Sequence, residues 1–110
     1  MTGLTVRIEV APGDLVDRIT ILEIKSERIE DEAARGNVLR ELAALVGARE
    51  ASLPASERLD ALTAALREVN ADLWAVEDDL RLCEARGDFG PGFVALARSV
   101  YKLNDRRAAL

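Results

Sequence analysis

Glu77, Asp78 and Asp79 stand in a row inside the stretch "VNADLWAVEDDL" (69–80). Three adjacent carboxylates raise the question of a metal site or of acid/base chemistry. The helical reading of the segment decides against it. Consecutive helical residues point about 100° apart, so the three acids face three directions and cannot meet on one ion. Asp72 and Asp79 share a side, but seven residues separate them by about 10.5 Å along the axis. Di-metal helical bundles need Glu-x-x-His pairs, and the chain contains no His. No metal is expected, and Asp78 and Asp79 read as a solvated flank.

The other flank gathers more varied chemistry. Asn70, Trp74, Glu77 and Arg81 fall within about 60° of one another beside the apolar seam of the same helix. Glu77 and Arg81 have the i,i+4 spacing of an ion pair. Further on, Asn104 and Arg107 occupy positions where the apolar stripe of the last helix calls for Leu. A buried amide or guanidinium without partners costs kilocalories, so each must find one. Glu77 and Asp17 are the acids considered for Arg107. Two readings stay open. In one, these groups form an internal polar network that fixes helix register, as a buried Asn does in coiled coils. In the other, Arg107 grips a carboxylate or phosphate with Asn104, Tyr101 and Lys25 assisting, in a site centred on Glu77, Asn104 and Arg107 with Trp74 and Tyr101 as walls.

The absence of His also removes Ser-His-Asp, Cys-His and His-metal chemistry. The single Cys, Cys83, lies on an apolar seam and has no neighbouring base in sequence, so it reads as a small core residue. "GDFGPG" (87–92) lacks the spacing and the preceding strand of a nucleotide-binding loop. No cofactor is expected.

The elements that must position these residues follow from periodicity. The chain has 110 residues, 49% hydrophobic but 4% aromatic, so a core must come from Leu, Val, Ile and Ala. "LTVRIEV" (4–10) alternates Val6, Ile8 and Val10 with Thr5, Arg7 and Glu9, the period of a half-buried strand. A lone strand leaves its backbone unpaired, and a symmetry-related copy of itself is one partner. Pro12 and Asp14 suit the start of a first helix, expected to run from 12 to a stop at about Arg35, before Gly36-Asn37. It carries one stripe of Leu15, Ile19, Leu22, Ser26 and Ile29, and a second of Ile21 and Ile24. Two apolar sides require two neighbours, from this chain or from a second subunit. A second helix is expected over 37–52, with Val38, Leu39, Leu42, Leu45 and Val46 on one face.

After "SLPAS", Ser56 is a good N-cap for a third helix over 57–86. There Leu59, Leu62, Leu66, Val69, Leu73, Val76, Leu80 and Cys83 keep an unbroken 3,4 spacing, the seam of a coiled coil. At 1.5 Å per residue this helix spans about 45 Å. Gly87 closes it. Pro91 opens a fourth helix, over 91–110, with Phe93, Leu96, Val100 and Leu103 on one face. It meets the end of the sequence without a cap signal and is expected to continue in the parent protein. The expectation is an all-α antiparallel bundle, one domain over 1–110, with one short N-terminal β-strand, assembled as a homodimer.

The net charge of −5 argues against a nucleic-acid backbone as partner. No apolar run approaches the roughly 20 residues of a membrane span, and no secretion signal is visible, so a cytoplasmic protein is expected.

Three separated stretches, "PGDLVDRITILEIKSERI" (12–29), "VNADLWAVEDDL" (69–80) and "FVALARSVYKLNDRRAAL" (93–110), resemble a bacterial family of small helical proteins catalogued as a domain of unknown function. The resemblance covers nearly the whole chain and carries over no catalytic residue. It implies that members accompany genes for cell-envelope sugar transfer and continue past "DRRAAL" with a basic helical end. An all-helical chorismate mutase offers a distant analogy for an anion site inside helices, but its spacing of Arg and Lys is absent. The expected function is a non-enzymatic oligomeric interaction or scaffold module, with a possible protein partner and a link to cell-envelope glycan synthesis. The alternative is a binding protein or enzyme for a small anionic ligand, a sugar phosphate or a carboxylate.

Overall fold

The computed structural model describes residues 4–110; the first three residues of the domain expected over 1–110 lie outside it. Four α-helices follow in order: α1 Pro12–Arg28, α2 Glu32–Ser52, α3 Glu57–Arg86 and α4 Pro91–Ala108. The fold is all-α.

Helix ends follow local chemistry. Pro12 opens α1 and Pro91 opens α4, where a missing N–H goes unused. Ser56 caps α3 by accepting from the Leu59 amide at 3.0 Å. Gly87 ends α3 at φ +67°, a left-handed conformation that costs glycine nothing sterically.

Two expectations are corrected. The first helix stops at Arg28 rather than Arg35, and the second starts at Glu32 rather than Asn37. Asp31 caps α2 through the Ala33 amide at 3.3 Å, and Glu32 adds a charge that suits the positive end of the helix. Gly36 and Asn37 therefore lie inside α2, where Asn37 satisfies its side-chain oxygen on Arg40 one turn later. The second correction concerns residues 4–10. They form no strand, their side chains are exposed, and among the described residues no backbone hydrogen bond outside the helices involves them. The alternation is there, but among the described residues there is no second strand to complete a ladder.

α1 packs against α2 and α3, and α3 packs against α1 and α4. The helices thus lie in the order α2, α1, α3, α4, a row compatible with a bundle but open along its length. α1 and α3 are antiparallel. Asp17 and Thr20 meet Asn70, whereas Glu23 and Glu27, further along α1, meet Arg67, earlier in α3. The second apolar side of α1 is accounted for by this order: one side faces α2 and the other α3, both in the same chain.

The core lies between α1 and α3. Val16, Ile19, Leu22 and Ile24 of α1 and Leu66, Val69 and Leu73 of α3 are buried, joined by Val38 of α2. Each contributes about 1.5–3 kcal/mol of burial. The heptad seam is buried only in this middle part; Leu59, Leu62, Val76, Leu80 and Cys83 are half-buried. α4 buries no residue fully, and Phe93, Leu96, Val100 and Leu103 are half-buried.

The result is an extended molecule, 48 × 34 × 24 Å, with a radius of gyration of 16.4 Å. A compact domain of this length has about 13 Å. The chain exposes 7976 Å², against about 6,000 Å² for a compact monomer of this mass.

Candidate functional site

The polar residues that interrupt the apolar faces meet at one junction of three helices. Asn70 is at its centre. It lies on the same face of α3 as Leu66 and Leu73, four residues after the one and three before the other, and is only 5% exposed. Its Nδ2 group donates to Asp17 Oδ1 at 2.8 Å and to Thr20 Oγ1 at 2.9 Å, both on α1. Its Oδ1 accepts from Arg107 Nη1 of α4 at 3.1 Å. Arg107 Nη2 donates to Asn104 Oδ1, one turn back in α4, at 2.8 Å. The Thr20 hydroxyl donates to the Asp17 carbonyl at 2.7 Å.

The orientation of the Asn70 amide follows from these partners. Turned over, its NH2 would face the guanidinium and its oxygen would face the Asp17 carboxylate. As placed, it relays between a carboxylate and a guanidinium that do not touch. Among the described residues no carboxylate lies within 4.0 Å of Arg107. Two of the five guanidinium N–H donors are accounted for by the two asparagines.

Arg107 is half-buried and lines three adjoining clefts. One, of about 180 Å³, is bounded by Ile21, Ile24, Leu73, Trp74, Glu77 and Asn104 along with Asn70 and Arg107. A larger one, of about 760 Å³, runs between α1 and α2, with Asp14, Asp17, Arg18, Lys25 and Glu41 among its polar groups. A third, of about 340 Å³, lies toward the start of α1 and the end of α4, and Asn104 also borders it.

Of the residues expected at a site, Arg107, Asn104, Trp74 and Glu77 share the small cleft. Glu77 is exposed at its rim and makes no hydrogen bond or ion pair with Arg107. Lys25 is exposed and borders the large cleft. Tyr101 is exposed and borders none of the three. The i,i+4 pair expected of Glu77 and Arg81 gives way to an i,i+3 pair, Arg81 to Asp78 at 2.8 Å. That bond, with the nearby charges of Asp78 and Glu77, raises the already high pKa of Arg81. The shorter Asp78 side chain is engaged, and Glu77 is left to the cleft rim.

Thr20 and the role of Asn70 as hub went unread in the sequence, although a signal was present. Asn70 has helical spacing to two core leucines, and Thr20 falls between Val16 and Ile24 at steps of four. Both are polar residues at core positions, which must pair.

Around the junction, surface ion pairs tie the same helices. Arg67 reaches Glu23 at 3.2 Å and Glu27 at 2.6 Å, and Arg106 reaches Glu68 at 3.5 Å. Among the described residues no group of three His, Cys, Asp or Glu side chains is gathered to hold a metal ion. No described helix is long and apolar enough to cross a membrane.

Comparison with curated proteins and with solved structures gives no match. A family model does match, over residues 6–110, which takes in α1 through α4 and the junction they build. The chain belongs to this family, a family of unknown function designated DUF6165.

Proposed function

We propose that the chain is a non-enzymatic interaction module that works as a homodimer, a scaffold unit of a bacterial cytoplasm linked to cell-envelope glycan synthesis. The observation that carries the self-association is the open row of helices. The exposed surface of 7976 Å² exceeds that of a compact monomer by roughly 2,000 Å². Part of that excess is the N-terminal segment, where Val6 and Ile8 are 85% and 76% exposed. Excess surface on this scale, with large apolar side chains exposed on it, is what a permanent partner covers. The setting in glycan synthesis rests on the resemblance alone.

Self-association makes thermal stability depend on concentration, because only the folded state binds the second copy. The melting temperature is expected to rise across a hundredfold increase in protein concentration. A constant melting temperature contradicts the proposal.

A second reading has its own support: the Arg107 guanidinium is met by two neutral amides, beside a concave cleft walled by Trp74. This arrangement suits a small anionic ligand, a sugar phosphate or a carboxylate, with Asn104 and Arg107 as donors. A thermal-shift screen with sugar phosphates and dicarboxylates tests it. A ligand of this site raises the melting temperature of the wild-type chain with concentration and has no effect on Arg107→Ala.

A further inference from the structure

We propose that residues 5–11 pair antiparallel with the same segment of a second copy, about a two-fold axis at Ile8. The proposal rests on the self-association reading and names the surface and register that carry it. The segment "TVRIEVA" has the alternation of a strand, and residues 4–10 are exposed without a ladder partner among the described residues.

Its charges select the register. With the axis at Ile8, Arg7 of each chain stands opposite Glu9 of the other, Val6 opposite Val10, and Ile8 opposite Ile8. Opposite charges directly across a ladder are favourable, and β-branched pairs pack well. An axis at Arg7 sets Arg7 against Arg7, and an axis at Glu9 sets Glu9 against Glu9; a parallel in-register pair makes both clashes. A shift of one residue sets Ile8 opposite Arg7 or Glu9 and Val10 opposite Thr5 or Arg7. An axis at Val10 brings Pro12, which has no N–H, into the ladder.

A two-stranded ribbon alone is marginal in water, so its apolar face needs a bed. Val10 already lines the large cleft between α1 and α2, with Leu15, Ile21, Leu22 and Leu45. In a strand Val6 and Ile8 share a face with Val10, so the apolar side of the ribbon continues that groove.

Charge exchange and cross-linking test the register together. Light scattering of the 110-residue chain is expected to give a dimer that Arg7→Glu or Glu9→Arg weakens at least tenfold. The double variant, carrying both exchanges, regains the wild-type constant. In a Cys83→Ala background, Ile8→Cys is expected to form an intersubunit disulfide on mild oxidation, its Cα atoms being about 4.5–5.5 Å apart. Val6→Cys alone does not cross-link, since four residues of offset separate the two copies by about 13 Å. Mixed with Val10→Cys, it does. A wild-type dimer without the Ile8→Cys cross-link, or without rescue by the double exchange, overturns this interface and leaves self-association standing. A wild-type monomer overturns both.

Discussion

Arg107 of α4 donates to Asn70 of α3 at 3.1 Å, and Asn70 in turn donates to Asp17 of α1 at 2.8 Å. One buried amide thus links the two helices that flank α3. Removing it orphans an acceptor on Asp17 and a donor on Arg107 at once. Asn70→Ala is expected to destabilise the fold by about 2–4 kcal/mol in chemical denaturation. Thr20→Val keeps the shape but loses the bond from Asn70 and the bond to the Asp17 carbonyl, so about 1–2 kcal/mol is expected. An Asn70→Ala effect below a few tenths of a kcal/mol would show that the relay contributes nothing to holding the helices.

The seam of α3 is buried only at its centre, and substitutions should report that. Leu73 is 6% exposed, between the α1 and α4 sides of the helix. Leu73→Asp places an unpaired charge in the core and is expected to unfold the chain or lower its melting temperature by well over 10 °C. Leu80→Asp, at a half-buried position near the end of α3, should cost less than half as much. Equal effects at both positions would mean the whole seam is enclosed.

Gly87 holds φ +67° with nothing within 4 Å of where a Cβ would sit. The cost of a side chain there is conformational only. Gly87→Ala is expected to lower stability by about 1 kcal/mol, and Gly87→Asn by less, in paired thermal melts.

Arg67 bridges Glu23 and Glu27 of α1, but its side chain is 38% exposed. Solvent screening limits such pairs. Arg67→Ala should cost no more than about 1 kcal/mol, and the difference from wild type should shrink in 0.5 M salt, on the order of a 4 Å Debye length. A loss that is larger and salt-independent would assign Arg67 a packing role.

How legible the chain was depends on where each residue finds its partner. α3 was readable from end to end because Ser56, the 3,4 spacing and Gly87 are all local signals, and they agree. The α1–α2 boundary was not. Gly36-Asn37 is a good stop, but Asp31 followed by Glu32 is a good start, and the start prevailed where the chain turns back for α2 to pack on α1. The alternation in residues 4–10 is real, but a strand is a relation between two segments, and the described residues hold no second one. At the junction the sequence marked Asn104 and Arg107 as polar intruders on an apolar face. Which acceptors they find depends on helix packing. Glu77 and Asp17 were the charged candidates, and the neutral amide of Asn70 stands there instead.

The central claim is that this open row of helices is completed by a second copy of itself. Light scattering of the 110-residue chain across a dilution series from millimolar to sub-micromolar tests it most directly. The account predicts about 24 kDa at the concentrated end, twice the 12.0 kDa of one chain, falling toward one chain only on strong dilution. A mass of one chain at every concentration would contradict it.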